Sequence, residues 1–395
     1  MIDDPIVRIA ARGDGVTAAG RHFALAAPGD IVGEDKVVIP GPHHQVPPCR
    51  HFPECGGCQL QHVDDEAYAN FVADRITGAL AQHELETEVR PAHLSPPRSR
   101  RRASLKAMRA GRGVVIGFNT TSSHQIIDMR ECHILRLELF ALVAPLRELL
   151  GVLLGKRGAG EVQMSLCDQG VDLALKGVAA EGLAAAEALP AFAKRYRLAR
   201  LSVDEGYGFE TRFEPQPATV TLSGVPVGFP SGAFLQATQD GEALLAEAVR
   251  EATAGAARSF DLFSGLGTFT LAMDGAVTAA EASRDAVLAL TLAAKRTGRS
   301  IDVQHRDLYR RPFQPDELAA ADATVLDPPR AGAQEQVRAL AASTVQRIAY
   351  VSCNPATFAR DARVLVDGGY RLNWIQPVGQ FRWSTHVELA AAFSR

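Results

Sequence analysis

The sequence lacks a long apolar run, a basic excess and any extreme of composition. Nowhere in its 395 residues does an uninterrupted apolar stretch approach the ~18 residues of a membrane helix. Its start, MIDDPIVRIA, is acidic and has none of the basic-then-apolar layout of a secretory leader. Both observations predict a cytoplasmic protein without membrane contact. The formal net charge is −3, which excludes a surface that is basic all over, so any nucleic-acid contact must be local. At 47% hydrophobic and 22% charged residues the chain can bury a core, and wholesale disorder is excluded. Its length suits two or three domains. No internal repeat is present.

Cysteine is scarce, and its distribution is uneven. Without a leader the compartment is reducing, so the six cysteines point to metal or catalytic roles rather than disulfides. Cys49-x5-Cys55-x2-Cys58 falls in a connector rich in proline (Pro42, Pro47, Pro48, Pro53), where backbone is free to wrap an ion. Cys132, in MRECHIL, follows 74 residues after Cys58. Four thiolates can hold zinc or an iron–sulfur cluster. Paired CxxC spacing would favour zinc, whereas three-plus-one tilts towards a cluster. The spacing of a radical S-adenosylmethionine enzyme, three then two, is absent. Cys167 is left over for the core.

The pattern divides the chain. Residues 1–41 read as a small β unit, with Gly13, Gly15, Gly20 and Gly29 punctuating apolar alternation. Residues 42–63 form the cysteine-bearing connector. Within 64–89, Tyr68, Phe71, Val72, Ile76 and Leu80 recur near helical spacing, predicting a helix that packs on the C-terminal domain. Residues 90–230 mix strands with an apolar helix near 135–154, an α+β domain. From 231 to 395 strand and helix patterns alternate, which predicts an α/β domain with a parallel sheet covered on both faces.

The chemistry-bearing residues of this last domain fall at strand ends. Asp261-Leu-Phe-Ser-Gly265-Leu-Gly267-Thr-Phe269 follows an apolar strand and opens a helix, the setting for close ligand approach to backbone amides. Thr270 stands where a dinucleotide fingerprint has its third glycine. Glu281, closing the next strand, can accept two ribose hydroxyls, and Asp307 follows the third. That layout suits adenosine without a pyrophosphate, hence S-adenosylmethionine (AdoMet) rather than NAD. Asp327 ends the fourth strand and Cys353 the fifth. Singly these read as a helix cap and a buried thiol. Jointly they converge on one rim.

A methyl-transfer site needs a cysteine when carbon 5 of uracil is the acceptor. Thiolate addition to carbon 6 creates an enolate that makes carbon 5 nucleophilic. A base must afterwards remove the carbon-5 proton, and Glu388, on a predicted final strand, is placed to do so. Seven cations crowd Arg98–Arg112 (Arg98, Arg100, Arg101, Arg102, Lys106, Arg109, Arg112) with no carboxylate between them. Alone, such a run is a solvated face.

These residues resemble the RNA uracil-5-methyltransferases that carry an iron–sulfur cluster. CRHFPECGGCQLQH, FLQ at 234–236, DLFSGLGTF, DPPRAG, SCNPATFARD and THVE occur in family order, and the resemblance runs from about residue 5 to the end. It implies a four-iron four-sulfur (4Fe-4S) cluster on Cys49, Cys55, Cys58 and Cys132, an RNA-binding central domain and a Rossmann-like AdoMet domain. By carry-over, Gln236, Phe263, Thr268, Glu281, Asp307 and Asp327 line the AdoMet and uracil site, Cys353 is the nucleophile and Glu388 the base. The expected substrate is 23S ribosomal RNA, with transfer RNA second, and the basic run Arg98–Arg112 becomes an RNA contact. Cytosine-5 methylation and a non-catalytic RNA-binding protein on the same fold are the rivals. The chain departs from the pattern in three places. Its N-terminal unit is short for the family's TRAM barrel of the OB type, so a truncated barrel is predicted. Gly379-Gln-Phe381-Arg382 replaces D-x-F-P, and Thr238 stands where asparagine is common.

Overall fold

The computed structural model describes residues 4–33, 37–121 and 123–395. Residues 1–3 and 34–36 of the expected N-terminal β unit lie outside the described residues. Within the unit, five strands form in the order His22–Phe23, Gly15–Thr17, Asp4–Ile9, Ile31–Val32, Val38–Ile39. Among the described residues of the unit these strands run two to six residues. Gly15 has no room for a side chain, since a Cβ there would meet the Ala26 carbonyl at 2.5 Å. Asp30, fully buried, accepts hydrogen bonds from the Ala27 and Gly41 amides and faces His44 Nδ1 at 2.7 Å. One carboxylate thus ties the β unit to the connector.

The helix Asp65–Ala81 starts where Asp64 accepts a hydrogen bond from the Ala67 amide. It buries Tyr68, Phe71, Val72, Ile76 and Leu80 against the C-terminal layer. The central sheet has six strands, in the order Phe209–Phe213, Arg200–Asp204, Gly170–Lys176, Ala159–Cys167, Arg102–Ala110, Gly113–Gly117. Helices Val143–Leu153 and Leu183–Arg195 share its core. The segments Glu88–Val89 and His93–Leu94 instead pair with Arg371–Gly379 of the C-terminal sheet. The hairpin Thr219–Leu222/Val225–Gly228 packs on the helix Arg284–Thr297.

The C-terminal sheet runs Ile301–His305, Ala276–Glu281, Arg258–Leu262, Ala323–Leu326, Arg347–Ser352, Glu388–Ser394, Arg371–Gly379. The first five strands are parallel, as alternation with helices requires. The parallel sheet expected from the sequence is there, joined by one antiparallel strand at the end of the chain. Glu388–Ser394 lies antiparallel between its two neighbours, with Ser352 opposite Leu389. That inversion places the beginning of the final strand beside the end of the fifth.

Candidate active site

Strand order reverses between Arg258–Leu262 and Ala323–Leu326, and a crevice opens beyond the carboxyl ends at such a point. Here it is a cavity of about 960 Å³. Gln236, Phe263, Thr268, Glu281, Asp307, Asp327, Cys353 and Glu388 all line it.

The glycine loop shapes one half. Gly267 has φ +92°, and a Cβ there would come 2.3 Å from Leu290 Cδ1, so the loop closes on its covering helix only with glycine. Phe263 takes the left-handed region at φ 66°, uncommon for a bulky side chain, and its ring tilts against Tyr309 at 5.5 Å. Glu281 is bound to the loop it faces: its carboxylate accepts from the Gly265 amide (3.0 Å) and the Ser283 amide (2.7 Å). Asp307 accepts from the Tyr309 amide at 3.0 Å. Thr270 has its own function in place of a third glycine. Its hydroxyl donates to fully buried Asp261 at 2.5 Å, while burial pushes that carboxyl up to about 6.

The other half is an acidic wall. Burial, then repulsion from Glu388, raises Asp327 well above the usual carboxylate range. Glu388, 5% exposed, is pushed up to about 7 by burial, against the pull of Gln380, Arg102 and Arg330. The Cys353 thiol is raised by burial and by Glu388 and Asp327, and lowered by Arg330. These acids titrate together, each proton lost making the next harder to remove.

Two motifs brace this wall. The Arg330 carbonyl accepts from Asn354 Nδ2 (3.0 Å) and Thr357 Oγ1 (3.1 Å). Fully buried Asp361 accepts from the Ala333 amide and the Tyr350 hydroxyl, at 2.8 and 2.7 Å. DPPRAG is therefore shaped by SCNPATFARD. Sequence reasoning missed Arg330 and His386, which also line the cavity and meet at 2.6 Å. Both stand inside motifs already singled out, and that was the available signal.

The basic run does not form one outer strip. Arg100 and Arg102 line the cavity, near Phe381 and Phe118 (5.5 and 5.8 Å) and over Phe234 (4.5 Å) respectively. Arg101 is buried in an ion pair with Glu242. Lys106 pairs with Glu161 at 2.6 Å, and Arg109 donates to the Gly151 carbonyl. Arg98 and Arg112 are exposed. Strand alternation and the close approach of residues 236–242 divide the seven cations among four environments.

Cys49, Cys55, Cys58 and Cys132 surround one small void walled by Phe52, Phe118, Ile127 and Met129. Burial raises all four thiols, Cys58 to about 12. Among the described residues, no three His, Cys, Asp or Glu side chains are arranged to hold a single metal ion. Cys167 is buried in a different core, with Ala199 and Leu235.

A glycine loop, strand-end carboxylates and a cysteine–glutamate wall around one crevice define an α/β enzyme of group-transfer type. A family model described as tRNA (Uracil-5-)-methyltransferase matches residues 314–395. An RNA methyltransferase of Zymomonas mobilis is 50% identical over 393 residues, covering 99% of each chain. The 23S rRNA (uracil(1939)-C(5))-methyltransferase RlmD of Aeromonas salmonicida is 30% identical, over 91% of this chain and 85% of its own. The crystal structure of Pyrococcus abyssi tRNA (uracil-54, C5)-methyltransferase with S-adenosyl-L-homocysteine superposes with a TM-score of 0.75. It is 21% identical and covers 99% of this chain and 100% of its own. The chain belongs to the RNA uracil-5-methyltransferase family and is an RNA methyltransferase.

Proposed function

We propose that the protein methylates carbon 5 of a uridine in 23S ribosomal RNA, with AdoMet as donor and a covalent bond between Cys353 and carbon 6. One observation carries this reading: Cys353 and Glu388 share a cavity wall because the last strand enters antiparallel beside the fifth. The glycine-loop half fits an adenosine ligand. Gly265 leaves open space on its Cβ side, Phe263 offers a ring, and Glu281 and Asp307 supply hydroxyl acceptors. Bound there, AdoMet supplies an electrophilic methyl group.

The protein's own groups do the rest. Cys353 must lose its proton before Sγ adds to carbon 6, and Arg330 is the cation that favours the thiolate. Once carbon 5 carries the methyl, the Glu388 carboxylate takes the carbon-5 proton and the carbon–sulfur bond breaks. A carboxyl titrating near 7 is suited both to hold and to release a proton at neutral pH. The uridine leaves its stack to reach this depth, and Arg100 and Arg102 at the wall are candidate contacts for the extruded nucleotide.

The four cysteines fit a 4Fe-4S cluster by their chemistry and their common void. Cys49, Cys55, Cys58 and Cys132 would hold it, giving the connector a structural anchor. An anaerobic preparation should contain about four irons per chain. Stoichiometric zinc in their place overturns this part.

Labelled methyl transfer from AdoMet into unmodified 23S ribosomal RNA and tRNA tests the whole reading. The expected product is 5-methyluridine in the 23S RNA. Label only in tRNA reassigns the substrate, and label in 5-methylcytidine reassigns the base.

A further inference from the structure

A second groove opens beside the reaction cavity. It encloses about 520 Å³, within the range of a small-ligand site. Gly56 and Gln59 of the cysteine connector form one wall, and Phe118, Asn119, Thr120 and His124 belong to the other. Gly56, Gln59 and Phe118 also line the reaction cavity, so the two spaces are continuous. Arg100 and Arg102 stand on the reaction-cavity side, Arg100 5.8 Å from the Phe118 ring. No carboxylate stands among the described residues of the groove wall.

The groove is held open by backbone bonds alone. The Phe118 carbonyl accepts from the Ile127 amide (2.9 Å), and the Thr120 amide donates to the Gln125 carbonyl (2.7 Å), which folds the loop back on itself. The Gly56 amide donates to the Asn119 carbonyl and the Thr121 amide to the Glu54 carbonyl, both at 2.9 Å, which fastens the loop to the connector. A Cβ on Gly56 would come 2.9 Å from that Asn119 carbonyl oxygen, so a larger residue would force the walls apart.

The side chains on these walls are left uncommitted. Gln59 Nε2 donates to the Gly56 carbonyl at 2.8 Å, an acceptor that cannot reverse, and this fixes which end of the amide is which. Gln59 Oε1 accepts from no group among the described residues. The side chains of half-buried Asn119 and Thr120 and of exposed His124 make no hydrogen bond among the described residues either. Neutral donors and acceptors, one aromatic ring and two neighbouring guanidinium groups suit an unstacked base and its ribose.

We propose that this groove is a second nucleotide site, which takes the base of an unpaired residue flanking the target uridine in the same RNA. Gln59 Oε1 accepts from an N–H group of that base, and Asn119 and His124 contact its remaining edge or its ribose. The proposal rests on the reading of the larger cavity as the seat of the target uridine. It gives the protein a way to read sequence beyond the base that reacts.

The test begins by mapping the methylated uridine in the 23S ribosomal RNA transcript. Fragments around it are then made with an abasic residue at each flanking position in turn, and their affinities for the iron-loaded protein are measured. Gln59→Met removes the acceptor. Asn119→Ala and His124→Ala, whose side chains brace nothing else, keep the test valid should the Gln59 variant lose its iron. Iron content and AdoMet affinity report that the fold is kept. One flanking position should lose about tenfold in affinity when abasic, and each variant should lose several-fold on the intact fragment. Removing base and side chain together should cost no more than the larger single loss. Equal affinity of parent and variants for the intact fragment overturns the proposal. So do losses that multiply at every position, because the side chains then contact something other than a flanking base. A transcript left with every uridine unmethylated by the parent removes the reading of the larger cavity, and the proposal falls with it.

Discussion

Glu388 shows how far a site can work against the fold that holds it. A free glutamate titrates near 4.5, whereas burial moves this one to about 7. The folded chain therefore binds more protons than the unfolded chain between those values, and the contribution to stability falls as pH rises through that window. Glu388→Gln removes the penalty. It should stabilise the protein by about 3 kcal/mol at pH 8, with a smaller gain at pH 5.5, in denaturant titrations at the two values. Equal stability of variant and parent at pH 8 would contradict this burial. Cys353→Ser acts on chemistry instead. Turnover should vanish while AdoMet affinity, measured by calorimetry, stays near that of the parent, because serine cannot form a comparably nucleophilic anion. Retained turnover contradicts the nucleophile assignment.

At the scale of elements, the glycine loop works only if its turn is tight. Gly267→Ala forces a Cβ into Leu290 at a positive φ, which should cost on the order of 1–3 kcal/mol in thermal melts and weaken AdoMet binding. Unchanged melting and binding would show that the loop has slack. This element was legible in sequence because its demands are local: a strand, a turn that needs glycine, and a helix. The helix Asp65–Ala81 was legible for the same reason, by its apolar spacing, while its Asp64 cap emerged only in the structure. Other features depended on partners far away in the chain. Two-residue strands such as His22–Phe23 are too short to show periodicity. The antiparallel entry of Glu388–Ser394 follows from its neighbours, not from its own residues. The cations at 100–102 scatter because Gln236 and Glu242 reach Arg101 from a loop and a helix over 130 residues later.

Across the whole molecule, distant segments converge on the loop that precedes Glu388. The Gln59 and Leu60 amides both donate to the Trp383 carbonyl, at 2.8 and 2.9 Å, directly after the cysteine motif. The Tyr68 hydroxyl donates to the carbonyls of Phe381 and Ser384, at 3.0 and 3.1 Å. Arg382 pairs with Asp65 and donates to the Ser95 carbonyl. The cysteine connector is thus a buttress for the loop that leads into Glu388. With the proposed cluster, Cys58→Ala should lower iron content and methyl transfer together while AdoMet affinity, measured by calorimetry, persists; unchanged methyl transfer would contradict this. The central sheet is fastened by the buried Arg101–Glu242 pair. Glu242→Ala leaves an uncompensated buried guanidinium and should destabilise the fold by about 3–5 kcal/mol in denaturant titrations. A change under about 1 kcal/mol would mean that water reaches Arg101.

The central claim is that Cys353 bonds to the pyrimidine it methylates. The most direct measurement incubates the protein with AdoMet and a 23S ribosomal RNA transcript in which 5-fluorouridine replaces uridine. Fluorine at carbon 5 cannot leave as a proton, so the account predicts a denaturation-resistant protein–RNA adduct. Digestion and mass spectrometry should place a methylated fluorouridine on Cys353, with no adduct in Cys353→Ser. Label transferred without an adduct, or an adduct on another residue, would contradict it.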